Sequence, residues 1–259
     1  MDLGIKGRTA LVCASSQGLG LACARALAQE GVNVVINGRD AAKLDKTAAE
    51  LRSVAKGDVT AVAADVTTVD GQARLLAACP SPDILVNNNA GPSPGPFADI
   101  ARERWLAAIE ANMIAPLMLI RAVLPAMRQR RFGRIINITS AMVTTPRPHM
   151  TVSSGARAGL TAAMKGLSLE VARDNVTINN LLPERFDTDR QHQMAKAAMA
   201  RESISYEEAR RRQVESIAAR RLGDPQEFGA TCAFLCSAFG GFMSGQNVHL
   251  DGGSYPALI

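Results

Sequence analysis

Seven short runs rich in β-branched residues alternate with helix-length segments along this chain, and this alternation strongly constrains its fold. The runs read RTALVC, VNVVIN, VTAVAA, DILVNN, RIINITS, NVTINNLL and QNVHLDGG. They are almost continuously apolar, as expected of strands covered on both faces of a parallel sheet. Strands separated by helices, with right-handed crossovers, predict a doubly wound, Rossmann-type α/β fold of about seven strands in three layers.

A single domain, residues 1–259, accounts for the whole chain. At 259 residues, with 47% hydrophobic and 20% charged residues, the chain can bury one sizeable core. Residues 187–221 differ from the rest because they are rich in Arg, Glu, Gln, Ala and Met and lack a strand pattern. We predict that this segment forms helices outside the sheet and acts as a lid over the substrate.

Composition argues against several other classes of protein. No apolar stretch reaches the roughly 18 residues that a bilayer requires, so we expect a soluble, cytoplasmic protein without a membrane partner. The net charge of +5 comes partly from arginine-rich runs at 128–131 and 210–212, which lack interleaved aromatic residues and predict solvated helix faces rather than nucleic-acid binding. The five scattered cysteines, without a CxxC pair, predict buried thiols and no metal site.

A glycine-rich turn follows the first strand and precedes a helical pattern that extends to Glu30. Glycines in such a turn let the backbone approach a pyrophosphate, whose negative charge is stabilised by the N-terminus of the following helix. The order of strand, turn, helix and strand therefore predicts a dinucleotide-binding site. The residues of this turn that we expect at the cofactor are Ser15, Ser16, Gln17, Gly18, Leu19 and Gly20.

The end of the second strand indicates which dinucleotide is bound. It reads Asn37-Gly38-Arg39-Asp40 and lacks the strand-tip carboxylate that commonly binds the ribose of NAD. The planar guanidinium of Arg39 suits a 2′-phosphate, so NADP(H) is the preferred cofactor and NAD(H) is the alternative. In a competing interpretation, Arg39 is an exposed loop residue and Asp40 caps the next helix.

These motifs resemble those of the short-chain dehydrogenase/reductase family, closest to its β-ketoacyl-ACP-reductase-like branch, over essentially the whole chain. The glycine-rich turn is similar to the family's TGxxxGxG, with Ala14 where the first Gly usually stands. The Asn87–Gly91 segment resembles the family's NNAG with one additional Asn, so that either Asn88 or Asn89 takes the first position. The resemblance implies that the cofactor is also bound by Asp65, Val66, Asn88, Asn89, Ala90, Gly91, Arg157 and Thr188.

In this family an Asn, a Ser, a Tyr and a Lys form the catalytic group, and the resemblance locates all four positions. Asn112 matches the Asn, and Ser140, after the fifth strand, matches the Ser that would hold the substrate carbonyl. The usual interval of thirteen residues beyond Ser140 leads to Ser153, and four more lead to Arg157. The Tyr and Lys positions are therefore substituted, and the predicted catalytic residues are Asn112, Ser140, Ser153 and Arg157.

The two substitutions leave the source of a proton open. A phenol has an ordinary pKa of about 10, whereas the aliphatic hydroxyl of Ser153 is a far weaker acid. Arg157 retains the positive charge and the hydrogen bonds to a ribose, but a guanidinium is a poor proton relay. The candidate sources are water, His149 in the loop before the helix, and Tyr206 in the lid.

Two further segments resemble the family. In Pro183–Thr188, Thr188 matches the residue that holds the nicotinamide carboxamide, while Glu184 replaces a Gly close to the ring. Residues 99–130 and 151–173 resemble the helices of the family's subunit bundle, which implies a homotetramer or a homodimer. The expected function is NADPH-dependent reduction of a small-molecule carbonyl, or the reverse oxidation of an alcohol. The alternatives are a catalytically silent nucleotide-binding sensor or complex subunit, and non-redox chemistry on the same scaffold.

Overall fold

The computed structural model describes residues 1–258 and shows alternating strands and helices, as the sequence predicts. The strands are β1 (Thr9–Val12), β2 (Asn33–Gly38), β3 (Val59–Ala63), β4 (Ile84–Asn87), β5 (Gly133–Ile138), β6 (Val176–Pro183) and β7 (Asn247–Leu250). The α-helices are α1 (Gly18–Gln29), α2 (Ala41–Arg52), α3 (Val69–Ala78), α4 (Arg102–Ile109), α5 (Ala115–Gln129), α6 (Thr151–Val171), α7 (Asp189–Glu202), α8 (Tyr206–Glu215) and α9 (Pro225–Cys236).

The strands form one sheet in the order β3-β2-β1-β4-β5-β6-β7, and every pair is parallel. Leu11 at the centre of β1 pairs with Val35 of β2 on one side and with Leu85 of β4 on the other. The strands β2 and β3 therefore extend the sheet on one side of β1, and the strands from β4 onward extend it on the other side. Ligands of doubly wound folds bind at the carboxyl edge of the sheet beside the point where this change of side occurs.

Helices cover both faces of the sheet, which confirms the predicted three layers. One core cluster joins residues of α1, α2 and α9 to the sheet, and a second joins residues of α3, α5 and α6 to the opposite face. All five cysteines are buried free thiols, and burial raises the pKa of Cys13 to about 12. These thiols are therefore part of the packed core, as the sequence predicts.

A row of asparagine amides crosses the carboxyl half of the sheet from β4 to β7. Asn87 donates to Asn137 at 2.9 Å, and Asn137 donates to Asn180 at 3.0 Å. Asn180 in turn donates to Asn247 at 2.9 Å. Each residue lies directly opposite the next in the strand register, so the amides stack as a ladder across four strands. We call these residues the amide ladder.

Helices α4 and α5 are joined by one π-helical turn and form a continuous helical segment, residues 102–129. A window of 18 residues in this segment has a mean hydropathy of 1.6, enough by length and composition to cross a membrane, and we expected no such stretch from the sequence. In the fold, Leu119, Ile120 and Val123 of the segment pack in the core. A core helix meets the same criterion, so length and composition alone are weak grounds for a membrane span.

The predicted lid, residues 187–221, contributes no strand to the sheet. Its helices α7 and α8 pack against each other, and Gln213 of α8 donates to the carbonyl of Gln191 in α7. Phe186 before the lid forms a parallel bridge with Gly223 after it. The ring of Phe186 also packs edge-on against Phe228 of α9, at 5.2 Å between centroids. Both ends of the segment are thus anchored while its helices lie outside the sheet.

Candidate active site

A cleft of about 580 Å³ lies at the carboxyl edge of the sheet. Its walls come from the loops after β1, β2, β3, β4, β5 and β6 and from α6 and α7. Most of the residues predicted from the sequence line it, including Arg39, Ser140, Ser153, Arg157 and Thr188. Five do not line it, and these are Ser15, Gly20, Asn112, His149 and Tyr206.

Two glycines allow the backbone of the glycine-rich turn to adopt its conformation, each for a different steric reason. Gly18 has a positive φ of 60°, in the region that favours glycine, and the space beside its Cα is open. A Cβ on Gly20 would lie 2.5 Å from the carbonyl oxygen of Ala14, so only glycine fits there. Ser15 is buried behind the turn, where its hydroxyl donates to Val12 and accepts from the backbone N–H of Asn37. Ser15 and Gly20 therefore support the turn, while Ser16, Gln17, Gly18 and Leu19 face the cleft.

Arg39 lies at the end of β2 on the cleft wall, as the NADP(H) prediction requires. Asp40 beside it accepts from the backbone N–H of Lys43 at 3.0 Å and caps α2. Across the cleft wall, Asp65 accepts from both the backbone N–H and the hydroxyl of Thr67. These two hydrogen bonds, with a smaller contribution from Arg39, lower the pKa of Asp65. Arg39 is thus available to an anion, and Asp65 also orders its own turn.

The three consecutive asparagines at the end of β4 have different positions and partners. Asn87 belongs to the amide ladder, whereas Asn88, Asn89, Ala90 and Gly91 all line the cleft. Asn88 donates to the carbonyl of Ala14 at 3.1 Å and ties the loop after β4 to the glycine-rich turn. Asn89 donates to the carbonyl of Ala111 at 3.2 Å and ties it to the π-helical turn. Residues 88–91 therefore contribute to the cleft, whereas Asn87 belongs to the sheet.

Arg157 donates hydrogen bonds to backbone carbonyl groups. Its Nη1 donates to the carbonyls of Ile138 at 2.8 Å and Thr139 at 2.9 Å, and its Nη2 donates to the carbonyl of Asn89 at 3.4 Å. Burial, with a contribution from Arg190, lowers the pKa of Arg157 to about 10. The guanidinium therefore joins the end of β5 to the loop after β4, which leaves fewer N–H groups for a ribose than the sequence suggested.

Ser140 and Ser153 place two hydroxyl groups on the cleft wall. The hydroxyl of Ser140 accepts from the backbone N–H of Met142 at 3.1 Å, which leaves its own proton for another acceptor. Ser153 lies on α6, one turn before Arg157. Its short side chain lines the cleft, and the space expected beside it for substrate or water stays a prediction.

Asn112 lies behind the cleft in the π-helical turn Glu110–Ile114, a distortion that the sequence did not predict. Single π-helical turns inside α-helices occur frequently at functional sites. The Nδ2 of Asn112 donates to the carbonyls of Ala90 and Ala108, each at 3.4 Å. Its Oδ1 is buried and makes no hydrogen bond within residues 1–258. A buried acceptor in this state fits a bound water or another polar ligand.

Neither side chain proposed as a proton source faces the cleft. His149 is exposed, with a positive φ of 64°, and its backbone carbonyl accepts from Gly95. Its neighbours Pro148 and Met150 form that part of the wall instead. Tyr206 forms a 2.6 Å hydrogen bond with Nδ1 of His192, and both lie outside the cleft wall. Water is therefore the candidate source that this geometry leaves in place.

Three arginines that the sequence reasoning passed over also line the cleft, namely Arg147, Arg185 and Arg190. Arg147 donates to Glu184 at 3.1 Å, and Arg185 lies 3.7 Å from the same carboxylate oxygen. Glu184 therefore points into an ion-paired cluster and not to solvent. No sequence signal distinguished these arginines from ordinary exposed ones, because their loops meet only in the folded chain.

The comparisons with known proteins agree with this architecture. The family model described as Enoyl-(Acyl carrier protein) reductase matches residues 13–255. The NADPH-dependent reductase BacG of Bacillus subtilis (strain 168) is 32% identical over 256 residues, which cover 97% of this chain and 99% of that protein. The chain belongs to the short-chain dehydrogenase/reductase family. This membership confirms the predicted reaction class, oxidation and reduction at alcohol and carbonyl groups.

Solved members of the short-chain dehydrogenase/reductase family share the whole fold. The L-sorbose reductase of Gluconobacter frateurii, in complex with NADPH and L-sorbose, superimposes with a TM-score of 0.95 at 29% identity, covering 100% of both chains. A variant of the actinorhodin polyketide ketoreductase with NADPH has a TM-score of 0.89 at 29% identity and covers 97% of this chain and 98% of its own.

Proposed function

We propose that this short-chain oxidoreductase catalyses NADPH-dependent reduction of a small-molecule carbonyl, or the reverse oxidation of an alcohol, at an atypical Asn-Ser-Ser-Arg site. The observation that carries the proposal is the cleft, in which the residues for a dinucleotide and the hydroxyl of Ser140 meet at the carboxyl edge of the sheet. Two of the similar proteins described above are NADPH complexes, and a third is an NADPH-dependent reductase.

The residues of the cleft fit NADPH. The open backbone at Gly18 and the N-terminus of α1 would hold the pyrophosphate, and Arg39 would pair with the 2′-phosphate. Asp65 and Val66 would flank the adenine, and Thr188 would hold the carboxamide of the nicotinamide. When bound, NADPH supplies the hydride for the reaction. NAD(H) remains the less favoured alternative because the tip of β2 carries Arg39 and no strand-end carboxylate.

The protein's own residues would orient and polarise the substrate. The free proton of the Ser140 hydroxyl is suited to hydrogen-bond a carbonyl oxygen, and the charge of Arg157 stabilises negative charge that develops on that oxygen. Proton delivery is the weak part of the site, because Ser153 is a poor acid. We therefore assign the proton to water beside Ser153 in the cleft.

Two measurements on the purified protein test this proposal. Fluorescence titration should show tighter binding of NADPH than of NADH, and a panel of ketones, aldehydes and alcohols should include compounds that change the absorbance of the reduced nicotinamide. Binding of NADPH without any turnover over the whole panel would replace the proposal by the second candidate, a catalytically silent sensor or complex subunit. The absence of NADPH binding would contradict both.

We further propose that the protein is a soluble, cytoplasmic homotetramer or homodimer that does not bind nucleic acid. An apolar groove of about 490 Å³ runs between the outer faces of α5 and α6, the helices that resemble the family's subunit bundle. Its lining residues include Leu117, Leu124, Met164 and Leu167. A second copy of the chain would cover this apolar surface, which a monomer would leave in water.

A further inference from the structure

Arg147 offers a cation to the cleft that the cofactor chemistry does not use. It lies in the β5–α6 connection, the same segment that carries Ser140, and it lines the cleft. Its side chain is 41% exposed, and only Nη1 is engaged by Glu184 within residues 1–258. The remaining N–H groups of this guanidinium are free to bind a ligand, and a guanidinium presents them in the fork that a carboxylate matches.

Glu184 explains why this long, half-exposed side chain is held in place. Its own side chain is only 5% exposed, and it lies between Arg147 at 3.1 Å and Arg185 at 3.7 Å. One carboxylate shared by two guanidiniums orients them but cannot neutralise both. Glu184 stands in the loop after β6, so the pair with Arg147 also joins two loops that line the cleft.

The charge balance at this end of the cleft remains positive. The charged groups of the β5–α6 loop, α6 and the β6–α7 region that line it are Arg147, Arg157, Arg185, Arg190, Glu184 and Asp189. Four cations thus face two anions. Arg157 gains no carboxylate partner within residues 1–258, and Arg190 is close enough to lower its pKa further. Such an excess of positive charge in a cleft favours an anionic ligand.

We propose that Arg147 binds a carboxylate of the substrate, which makes the substrate class oxo-carboxylates, compounds that carry a ketone or an aldehyde together with a carboxylate. Glu184 is a positioning residue that holds Arg147 toward the cleft. The inference rests on the proposed carbonyl reduction, because Ser140 must hold the carbonyl end of the same molecule. Arg39, at the opposite end of the cleft, serves the cofactor in this scheme and not the substrate.

Matched substrates test the inference through turnover. Oxo-carboxylates of three to six carbons are compared with their primary amides, which keep the carbonyl and the size but lose the negative charge. We expect the wild-type enzyme to favour the acids in kcat/KM. Arg147→Gln should lower kcat/KM for the acids about 10- to 100-fold, the loss expected for a charge-assisted hydrogen-bonded pair, and should leave the amides and the KM for NADPH within about twofold.

Two further variants separate charge from structure. Glu184→Gln should raise KM for the acids more than it lowers kcat, because it releases Arg147 without removing it. Arg201→Gln, on the exposed face of α7 and outside the cleft, is the matched control and should match the wild type for both series. Equal kcat/KM for acids and amides in the wild type, or equal losses for both series in Arg147→Gln, would overturn the inference.

A binding experiment keeps the inference testable if the protein does not turn over. Hydroxy-carboxylates of three to six carbons are titrated calorimetrically into the NADPH complexes of wild type and Arg147→Gln. Binding to the wild type that is lost in the variant would support the carboxylate site independently of turnover, because a hydroxy-carboxylate and NADPH are both reduced and exchange no hydride. Absence of NADPH oxidation with the oxo-carboxylates would then contradict the proposed reductase while the carboxylate site stands. Equal or absent binding in both proteins would overturn the carboxylate site, whatever the result for turnover.

Discussion

Ser153 and Arg157 lie one helical turn apart on α6, on the wall of the cleft, and have different tasks in the proposed site. Arg157 is buried, has a lowered pKa of about 10, and donates to backbone carbonyls at the end of β5. Burial of a cation is costly unless hydrogen bonds satisfy it, and here three carbonyls do so. Its position suits a structural and electrostatic task, while Ser153, under the proposed site, is too weak an acid to donate the proton itself.

The double variant Ser153→Tyr with Arg157→Lys tests whether the proton donor is the missing element. We expect kcat/KM on simple ketones to rise about 100-fold, the low end of the usual effect of a placed general acid. The matched control is Ser153→Phe with Arg157→Lys, which supplies the ring without the hydroxyl and should show no gain. Equal activities of the two double variants in steady-state assays would show that proton donation is not limiting.

Ala14 has a backbone conformation that is unfavourable for a residue with a side chain. It has a positive φ of 44°, in the left-handed region that costs a non-glycine residue about 1–2 kcal/mol. We expect Ala14→Gly to raise the free energy of unfolding by about 0.5–1 kcal/mol, after the greater flexibility of unfolded glycine is counted. Urea denaturation measures the change. Ala10→Gly, in the buried centre of β1, should instead destabilise, and stabilisation of similar size in both variants would contradict the strain argument.

At the scale of the elements, the amide ladder couples four strands at the edge of the sheet that carries the site. Asn137 both donates and accepts within it, so its removal leaves a donor of Asn87 and an acceptor of Asn180 without partners. We expect Asn137→Ala to lower the free energy of unfolding by about 2–4 kcal/mol. Asn247→Ala, at the exposed end of the ladder, should cost about 1 kcal/mol because water replaces part of the bond. Equal losses in chemical denaturation would argue against a cooperative ladder.

Helix α9 carries a capping arrangement that makes its stability depend on pH. Glu227 accepts from the backbone N–H of Asp224 and from both terminal nitrogens of Arg221, and these bonds lower its pKa from 4.5 to about 2. A carboxyl group whose pKa is lower in the folded than in the unfolded protein stabilises the fold at pH values above its unfolded pKa. This stabilisation is lost as the pH falls through the folded pKa. The contribution is therefore complete above about pH 4.5 and absent below about pH 2.

The corresponding variant is Glu227→Gln. At neutral pH we expect its urea midpoint to lie below that of the wild type, and we expect the difference to shrink between about pH 4.5 and 2. Glu50→Gln is the control, since Glu50 is exposed on α2 and its carboxylate forms no ion pair within residues 1–258. A difference for Glu227→Gln that stays constant over this range would show that charge is not involved.

At the scale of the whole molecule, the apolar groove between α5 and α6 makes the assembly state testable. Leu124→Glu places a charge in this groove, and we expect it to convert the proposed dimer or tetramer into a monomer in sedimentation velocity. Val69→Glu, at an exposed apolar position on α3, is the control and should keep the wild-type state. A wild-type protein that sediments as a monomer, or a Leu124→Glu protein that remains assembled, would contradict the proposed interface.

The sequence alone determined the fold, because the order of apolar runs and helical segments reflects local periodicity and burial on both faces of a sheet. The resemblance to the family located Ser140, Ser153 and Arg157, because the family's intervals can be counted directly along the chain. Motifs that occupy one turn, such as residues 14–20 and 88–91, were likewise recognisable without coordinates.

Only the tertiary structure decided which neighbours those residues meet. The hydrogen bonds of Arg157 to backbone carbonyls and the pair of Arg147 with Glu184 join segments that are far apart in the chain. The absence of His149 from the cleft wall depends on the direction of its loop. The amide ladder arises for the same reason, because four asparagines on separate strands come into line only when the register is set. Local pattern specifies elements, whereas side-chain partnership depends on how those elements pack.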